Sequence, residues 1–196
     1  MPDFIWPDFY KRTKDHPHWP LLEKAVTLLG HKGHTLDLGC GAGRDTRYLL
    51  SQGWSVTAVD SDPNAIALLA ELPQERLRVV QSSFDDFVYE HEAYDLVSSQ
   101  FSLPYSPKAT FNNLFTRIKQ SIKPGGIFTG QFFGIRDGWN TPEHDMTFLT
   151  REQVDELLSD MNVREITEED KMGTTATGVL KRWHVFHVIA QNRKFF

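Results

Sequence analysis

Apolar residues recur along this chain with two periods, and each change of period marks a predicted element. Leu21, Leu22, Ala25, Val26, Leu28 and Leu29 repeat at helical spacing behind Trp19, and Gly30 and Gly33 end the run. Thr35-Leu36-Asp37-Leu38 is a short apolar stretch that breaks into Gly39-Cys40-Gly41-Ala42-Gly43; Arg44 to Gly53 then reads as one helix. Trp54 to Val59 alternates and is β-branched, which predicts a strand finishing on Asp60. A helix is predicted from Pro63 to about Leu72, and short strands over Leu77–Gln81 and Tyr94–Phe101. Ser106-Pro107 predicts a cap and first-turn proline for a helix to about Ile122, with Phe111, Leu114, Phe115, Ile118 and Ile122 in one stripe.

Lys123-Pro124-Gly125-Gly126 predicts a tight turn into a fifth strand over Ile127–Phe133. Thr150 and Gln153 form a predicted capping box for a helix to about Met161. Strands over Asn162–Met172 and Trp183–Ala190 close the pattern. From residue 34 to about 133 strands and helices alternate, which requires a parallel sheet with helices on both faces. Ligands of such sheets lie at the carboxyl ends of the strands, where strand order reverses.

The glycine turn holds the chemistry. Backbone amides and a helix dipole converge where a strand passes through glycines into a helix, making a site for a nucleotide-like ligand. The spacing Gly39-x-Gly41-x-Gly43 puts Arg44 where a dinucleotide fingerprint has its third glycine, and no Gly-Lys-Ser/Thr ending of a P-loop is present. Asp37-Leu38-Gly39-Cys40-Gly41-Ala42-Gly43 resembles motif I of the class I S-adenosyl-L-methionine-dependent methyltransferases. Ile122-Lys123-Pro124-Gly125-Gly126 and a motif IV-like strand ending in Gln100-Phe101 extend the resemblance, which covers roughly residues 20 to 135. Within the class, the compact size and the tail Lys181 to Ala190 look most like small bacterial enzymes of the TehB (tellurite-resistance) branch.

That resemblance implies an α/β fold: a Rossmann-like, doubly wound, seven-stranded sheet, mostly parallel, closed by a C-terminal antiparallel hairpin. It implies a single domain over 1–196, with an N-terminal lid or strap (1–19), a cofactor-binding core (20–133) and a substrate-side loop with closing strands (134–196). Gly39, Cys40, Gly41, Ala42 and Gly43 would hold the methionine end of the cofactor, with Asp37 near its amino group. Asp60, 19 residues after Gly41 at the next strand end, suits two hydrogen bonds from the ribose hydroxyls, with Ser61 beside it. In the class the loop at Ser83-Phe84 holds adenine, although serines stand here where an aspartate is usual. Gln100 and Phe101 would lie next to the transferred methyl. Gln100-Phe101-Ser102-Leu103-Pro104-Tyr105 departs from the Asn/Asp-Pro-Pro-Tyr/Phe of nucleic-acid nitrogen methylators, which argues against base methylation.

Candidate substrate contacts are Tyr10, from an aromatic N-terminal segment that includes Phe4, Trp6 and Phe9, then Tyr105, and Trp139 and His144 from a loop over 134–148 that reads as a substrate-recognition lid. Displacement at a sulfonium methyl needs positioning and exclusion of water more than a base, and no convincing base stands out. His16 and His18 lack acidic or cysteine partners, and His184 and His187 sit three apart on a strand, so no metal is expected.

Net charge −5 provides no basic field for nucleic acid or anionic membrane. Cys40 is the only cysteine, which predicts a reducing, cytoplasmic setting and a small packing residue in the turn. The first residues lack the basic-then-apolar order of a signal peptide. The expected partner is a small-molecule methyl acceptor; its identity and the oligomeric state are not legible. Two alternatives stay open: a non-catalytic cofactor-binding module, and a dinucleotide oxidoreductase, which the glycine spacing disfavours.

Overall fold

The apolar run after Gly33 becomes β1 (His34–Leu38), and its last four residues are buried because sheet neighbours flank it on both sides and helices cover both faces. A computed structural model describes residues 6–193. The N-terminal helices α1 (Trp6–Thr13) and α2 (Pro20–Leu29) precede β1, and α3 (Arg44–Ser51), β2 (Ser55–Asp60), α4 (Pro63–Leu69), β3 (Leu77–Gln81) and β4 (Tyr94–Ser99) follow it. After them come α5 (Phe111–Ser121), β5 (Ile122–Gly134), β6 (Phe148–Leu149), α6 (Arg151–Leu157), β7 (Met161–Thr174) and β8 (Leu180–Asn192). The strand order is β3-β2-β1-β4-β5-β8-β7, parallel through β5, and β8 then runs antiparallel to both β5 and β7. The direction of strand order reverses between β1 and β4, as the alternation requires.

The sheet has eight strands rather than seven. The extra one, β6, is two residues long and pairs in parallel with β5 through Phe133 and Phe148; a pair of apolar residues has no period to read. The Ser106-Pro107 start of the long helix is also corrected. Ser106 is buried and its carbonyl accepts from Thr147 Oγ1 at 2.8 Å, so the chain makes a turn over 107–110 and α5 begins only at Phe111. Lys123 to Gly126 bulge out within β5 instead of preceding it: Tyr94 pairs with Ile122, but Leu96 pairs with Ile127. Lys123 Nζ crosses the bulge to Asp95 Oδ2 at 2.8 Å. Residues 1–5, including Phe4, lie outside the described residues.

Two apolar layers cover the sheet. Leu36, Phe115, Phe128, Phe132 and Phe186 fill one; Leu22, Leu49, Trp54, Val56 and Ile189 fill the other. The alternation Val185-Phe186-His187-Val188-Ile189 divides β8 between them. The capping box is formed as the spacing predicts, with Gln153 N donating to Thr150 Oγ1 and Thr150 N to Gln153 Oε1. Thr150→Ala is expected to cost about 1 kcal/mol in urea unfolding, and an unchanged midpoint would show that packing of Val154 alone holds α6.

Candidate active site

At the carboxyl end of β1 the chain needs left-handed backbone at alternate positions, and only glycine supplies it without strain: φ is +72° at Gly39, +51° at Gly41 and +77° at Gly43. Gly39 and Cys40 N–H both donate to the Val59 carbonyl, at 2.8 and 3.1 Å, which ties the turn to the end of β2. A Cβ on Gly39 would stand 2.3 Å from Ser102 Cβ, so the turn and the segment after β4 approach as closely as backbone allows. Asp60 closes the corner. Its Oδ2 accepts from Gly41 N at 2.9 Å and its Oδ1 from Asp62 N at 2.9 Å. Asp62 caps α4 through Asn64 N, so Asp60 is left on the rim of the turn. Burial raises its pKa, and the two backbone donors hold it back.

Asp37 is buried on β1 beside Asp45 of α3. Thr46 Oγ1 donates to Asp37 Oδ2 at 2.5 Å, and Trp19 N donates to Asp45 Oδ1 at 2.9 Å. Burial raises both carboxyls, and the Asp45 charge adds to the rise at Asp37. Among the described residues no salt bridge reaches Asp37, so burial favours its protonated form until a cation comes beside it.

A cavity of about 1020 Å3 opens over this corner. Of the residues singled out in the sequence, Asp37, Gly39, Cys40, Gly41, Ala42, Asp60, Ser61, Ser83, Phe84, Gln100, Phe101, Tyr10, Tyr105 and Trp139 line it. Gly43 and His144 do not. Gly43 instead faces Leu69 of α4, 3.0 Å from its would-be Cβ, and serves as the N-cap of α3. His144 Nδ1 lies 2.9 Å from the Trp139 carbonyl and so carries a proton there, bridging its own loop. Nor is that loop built as a lid. Asp137 within it is buried and accepts from Lys181 Nζ at 2.5 Å, from Trp139 N at 3.0 Å and from His184 N at 3.2 Å. Pinned in this way, residues 134–148 give the cavity Trp139 alone.

Gln100 lines the cavity yet spends its amide internally. Its Nε2 donates to Ser98 Oγ and the Thr129 carbonyl, and its Oε1 accepts from Gln131 Nε2 at 2.9 Å. Phe101 N donates to Gln131 Oε1 at 2.8 Å, which holds Phe101 at φ +53°, a costly value for a phenylalanine. The outcome is a ring aimed at Trp19, with centroids 4.6 Å apart. Ser83 Oγ donates to Asp86 Oδ2 at 2.6 Å, a local turn that leaves Phe84 as the apolar wall.

Sequence reasoning gave no site role to Phe133, Trp183, Glu169 or Lys171, which line the chamber together with Trp19, just beyond the aromatic N-terminal segment, and His187. The signal was the alternation of residues 183, 185 and 187 on one face of β8, but which face meets the cavity depends on its pairing with β5 and β7. His184 points the other way, its Nδ1 accepting from Arg136 N at 3.0 Å and its Nε2 bonded to Glu168 at 2.8 Å. The helix α1 covers the glycine turn with Tyr10, whose ring lies 3.4 Å from the Cβ position of Gly41.

Residues 35–126 match the family model described as a methyltransferase domain. Over that stretch the chain is similar to methyltransferase domains. It is 31% identical over 107 residues to an uncharacterized methyltransferase of Synechocystis sp., covering 55% of this chain and 49% of that protein. A probable S-adenosyl-L-methionine-dependent methyltransferase TehB of Haemophilus influenzae is 31% identical over 93 residues, 46% of this chain and 32% of the relative. The chain thus spans about half or less of the length of these curated relatives. The solved structure of Haemophilus influenzae TehB shares the fold at TM-score 0.79 and 20% identity, covering 94% of this chain and 66% of its own. A Burkholderia thailandensis 1,6-didemethyltoxoflavin-N1-methyltransferase, with its substrate and S-adenosylhomocysteine bound, aligns at TM-score 0.72 and 24% identity over 97% of this chain and 81% of its own. Among the described residues, no helix is long and apolar enough to cross a membrane.

Proposed function

We propose that this protein binds S-adenosyl-L-methionine at the glycine turn and transfers its methyl group to a small molecule held in the aromatic part of the cavity. The observation that carries the reading is the corner where Gly41 N–H meets Asp60 Oδ2 at 2.9 Å, opening into a single cavity large enough for two ligands. Asp60 takes the ribose hydroxyls, Phe84 the adenine face, and Asp37 with Asp45 the methionine ammonium. Gly39 and Phe101 bring the sulfonium methyl to the acceptor. Residues 6–19 act as a lid, residues 1–196 work as one domain, and the setting is a bacterial cytoplasm. The protein supplies orientation and a dry chamber; the electrophile is the cofactor's own sulfonium.

Calorimetric titration with S-adenosylhomocysteine beside NAD and ATP tests the cofactor. Micromolar binding of the first alone is expected, and preference for NAD would move the protein to the oxidoreductases. Turnover with any acceptor separates an enzyme from a non-catalytic module.

The raised carboxyls give a further expectation with a definite sign. A carboxyl raised in the folded state contributes stability below its unfolded pKa and loses it as pH rises towards the folded value. The ligand-free protein should therefore lose stability as pH climbs from the ordinary carboxylate range towards those raised values. An ammonium beside Asp37 favours the carboxylate, so cofactor binding in that window should release protons and tighten as pH rises. Titrations in buffers of different ionisation enthalpy read this directly. Proton uptake, or no buffer dependence, would remove the ammonium from Asp37.

A further inference from the structure

We propose that His187 takes the proton from the methyl acceptor, and that the acceptor is a flat aromatic ring carrying an N–H, O–H or S–H. The inference rests on the methyltransferase reading and adds the substrate class and the base. His187 stands in the middle of β8, opposite Gln131 of β5 and Thr167 of β7, so its side chain shares the cavity face with Trp183 and Val185. Its ring lies 6.0 Å from that of Phe101, the residue whose strained backbone aims it at the chamber. Among the described residues, no hydrogen bond reaches either ring nitrogen of His187, whereas His184 uses both of its own.

Gln100 is locked to Gln131, and Glu169 pairs with Lys171 at 2.8 Å; Lys181, set against the Trp139 and Trp183 rings, is held by Asp137. The Ser106 hydroxyl, buried at the cavity wall with no hydrogen-bond partner among the described residues, is far too weakly basic to take the proton. Burial raises the phenols of Tyr10 and Tyr105, which keeps them protonated and poor as bases. Burial lowers the imidazole pKa, and Lys171 and Lys24 push the same way against Glu169 and Glu165. His187 is thus neutral near neutral pH, the form a general base needs.

The walls select the acceptor. Trp19 and Phe101 meet at a 39° tilt with centroids 4.6 Å apart, Trp183 meets Phe101 edge-on at 6.2 Å, and Phe133 lies 6.0 Å from Trp183. Such ring faces and edges favour another π-system over a small oxyanion. In the step, the acceptor's heteroatom lone pair attacks the methyl carbon. The carbon–sulfur bond breaks with its electron pair on sulfur, giving S-adenosylhomocysteine. The acceptor's proton passes to His187, and the imidazolium later releases it to water.

The test uses the full chain with S-adenosyl-L-methionine and three probes: 2-naphthol, benzimidazole and pentafluorothiophenol, with tellurite and hexanol as contrasts. Methylation of the aromatic probes is expected, with the kcat/KM of the first two falling as pH drops through the His187 titration. His187→Gln should lower kcat for 2-naphthol and benzimidazole about 100-fold, remove the acidic limb, and leave KM and S-adenosylhomocysteine affinity near wild type. For pentafluorothiophenol, already ionised, the fall should largely vanish. An equal loss for all three probes makes His187 structural and overturns its role as base. Methylation of tellurite or hexanol in preference, or of none of the probes by protein that binds S-adenosylhomocysteine, overturns the acceptor class. Failure to bind S-adenosylhomocysteine sinks the cofactor reading instead.

Discussion

Asp60→Ala is expected to weaken S-adenosylhomocysteine binding about 100-fold or more, because the carboxylate does two jobs at once. Two charge-assisted hydrogen bonds to a ribose diol contribute about 1.5–3 kcal/mol each before losses, and about 2.7 kcal/mol is a 100-fold change. The same carboxylate accepts from Gly41 N and Asp62 N, so alanine also loosens the glycine turn. Asp60→Asn retains one acceptor oxygen and should fall between, about 10-fold weaker. Calorimetry on both variants, with matched melting temperatures, separates ligand contact from turn damage. Wild-type affinity in the alanine variant would mean that the ribose lies elsewhere.

Asp137→Ala should destabilise the fold by about 3–5 kcal/mol, the cost of leaving a buried charge without its partner. Lys181 Nζ would remain over the Trp139 and Trp183 rings, 3.6 and 3.8 Å from their centroids, with only their π-faces as counter-charge. Burial already lowers the Lys181 pKa, and Asp137 is the group that holds it up. The main-chain N–H groups of Trp139 and His184 would lose their acceptor as well. Adding Lys181→Met to Asp137→Ala should recover part of the loss, since it removes the stranded charge but not the orphaned N–H groups. Urea unfolding of the single and double variants measures this. A loss below about 1 kcal/mol in Asp137→Ala would show that water reaches the pair. The effect matters for the chamber too, because Trp139 and Trp183 are two of its walls.

Much of the cofactor side was legible because its signals are local. Gly39, Gly41 and Gly43 declare a left-handed turn by residue type alone, and each proves to have positive φ. Asp60 is placed by counting to the end of the next strand, and Pro63 marks the start of α4. The errors fell where a local signal competed with a tertiary partner. Ser106-Pro107 reads as a helix start, but Thr147 claims the Ser106 carbonyl. His144 sits in a loop that reads as a lid, yet Asp137 two residues before Trp139 is drawn into the interior by Lys181, which lies 44 residues on.

The chain's order of residues by itself determined the alternating strands and helices, the reversal of strand order that opens a ligand crevice, and the glycine turn with its acidic partner. Period, glycine backbone freedom and spacing along one strand–helix–strand unit are properties of near neighbours. Tertiary structure alone decided the aromatic chamber. Which face of β8 meets the cavity is set by pairing Gln131, His187 and Thr167 across three strands, and a slip of one residue would turn His184 inward instead. Register between strands 20 to 56 residues apart is a long-range packing outcome that no local pattern encodes.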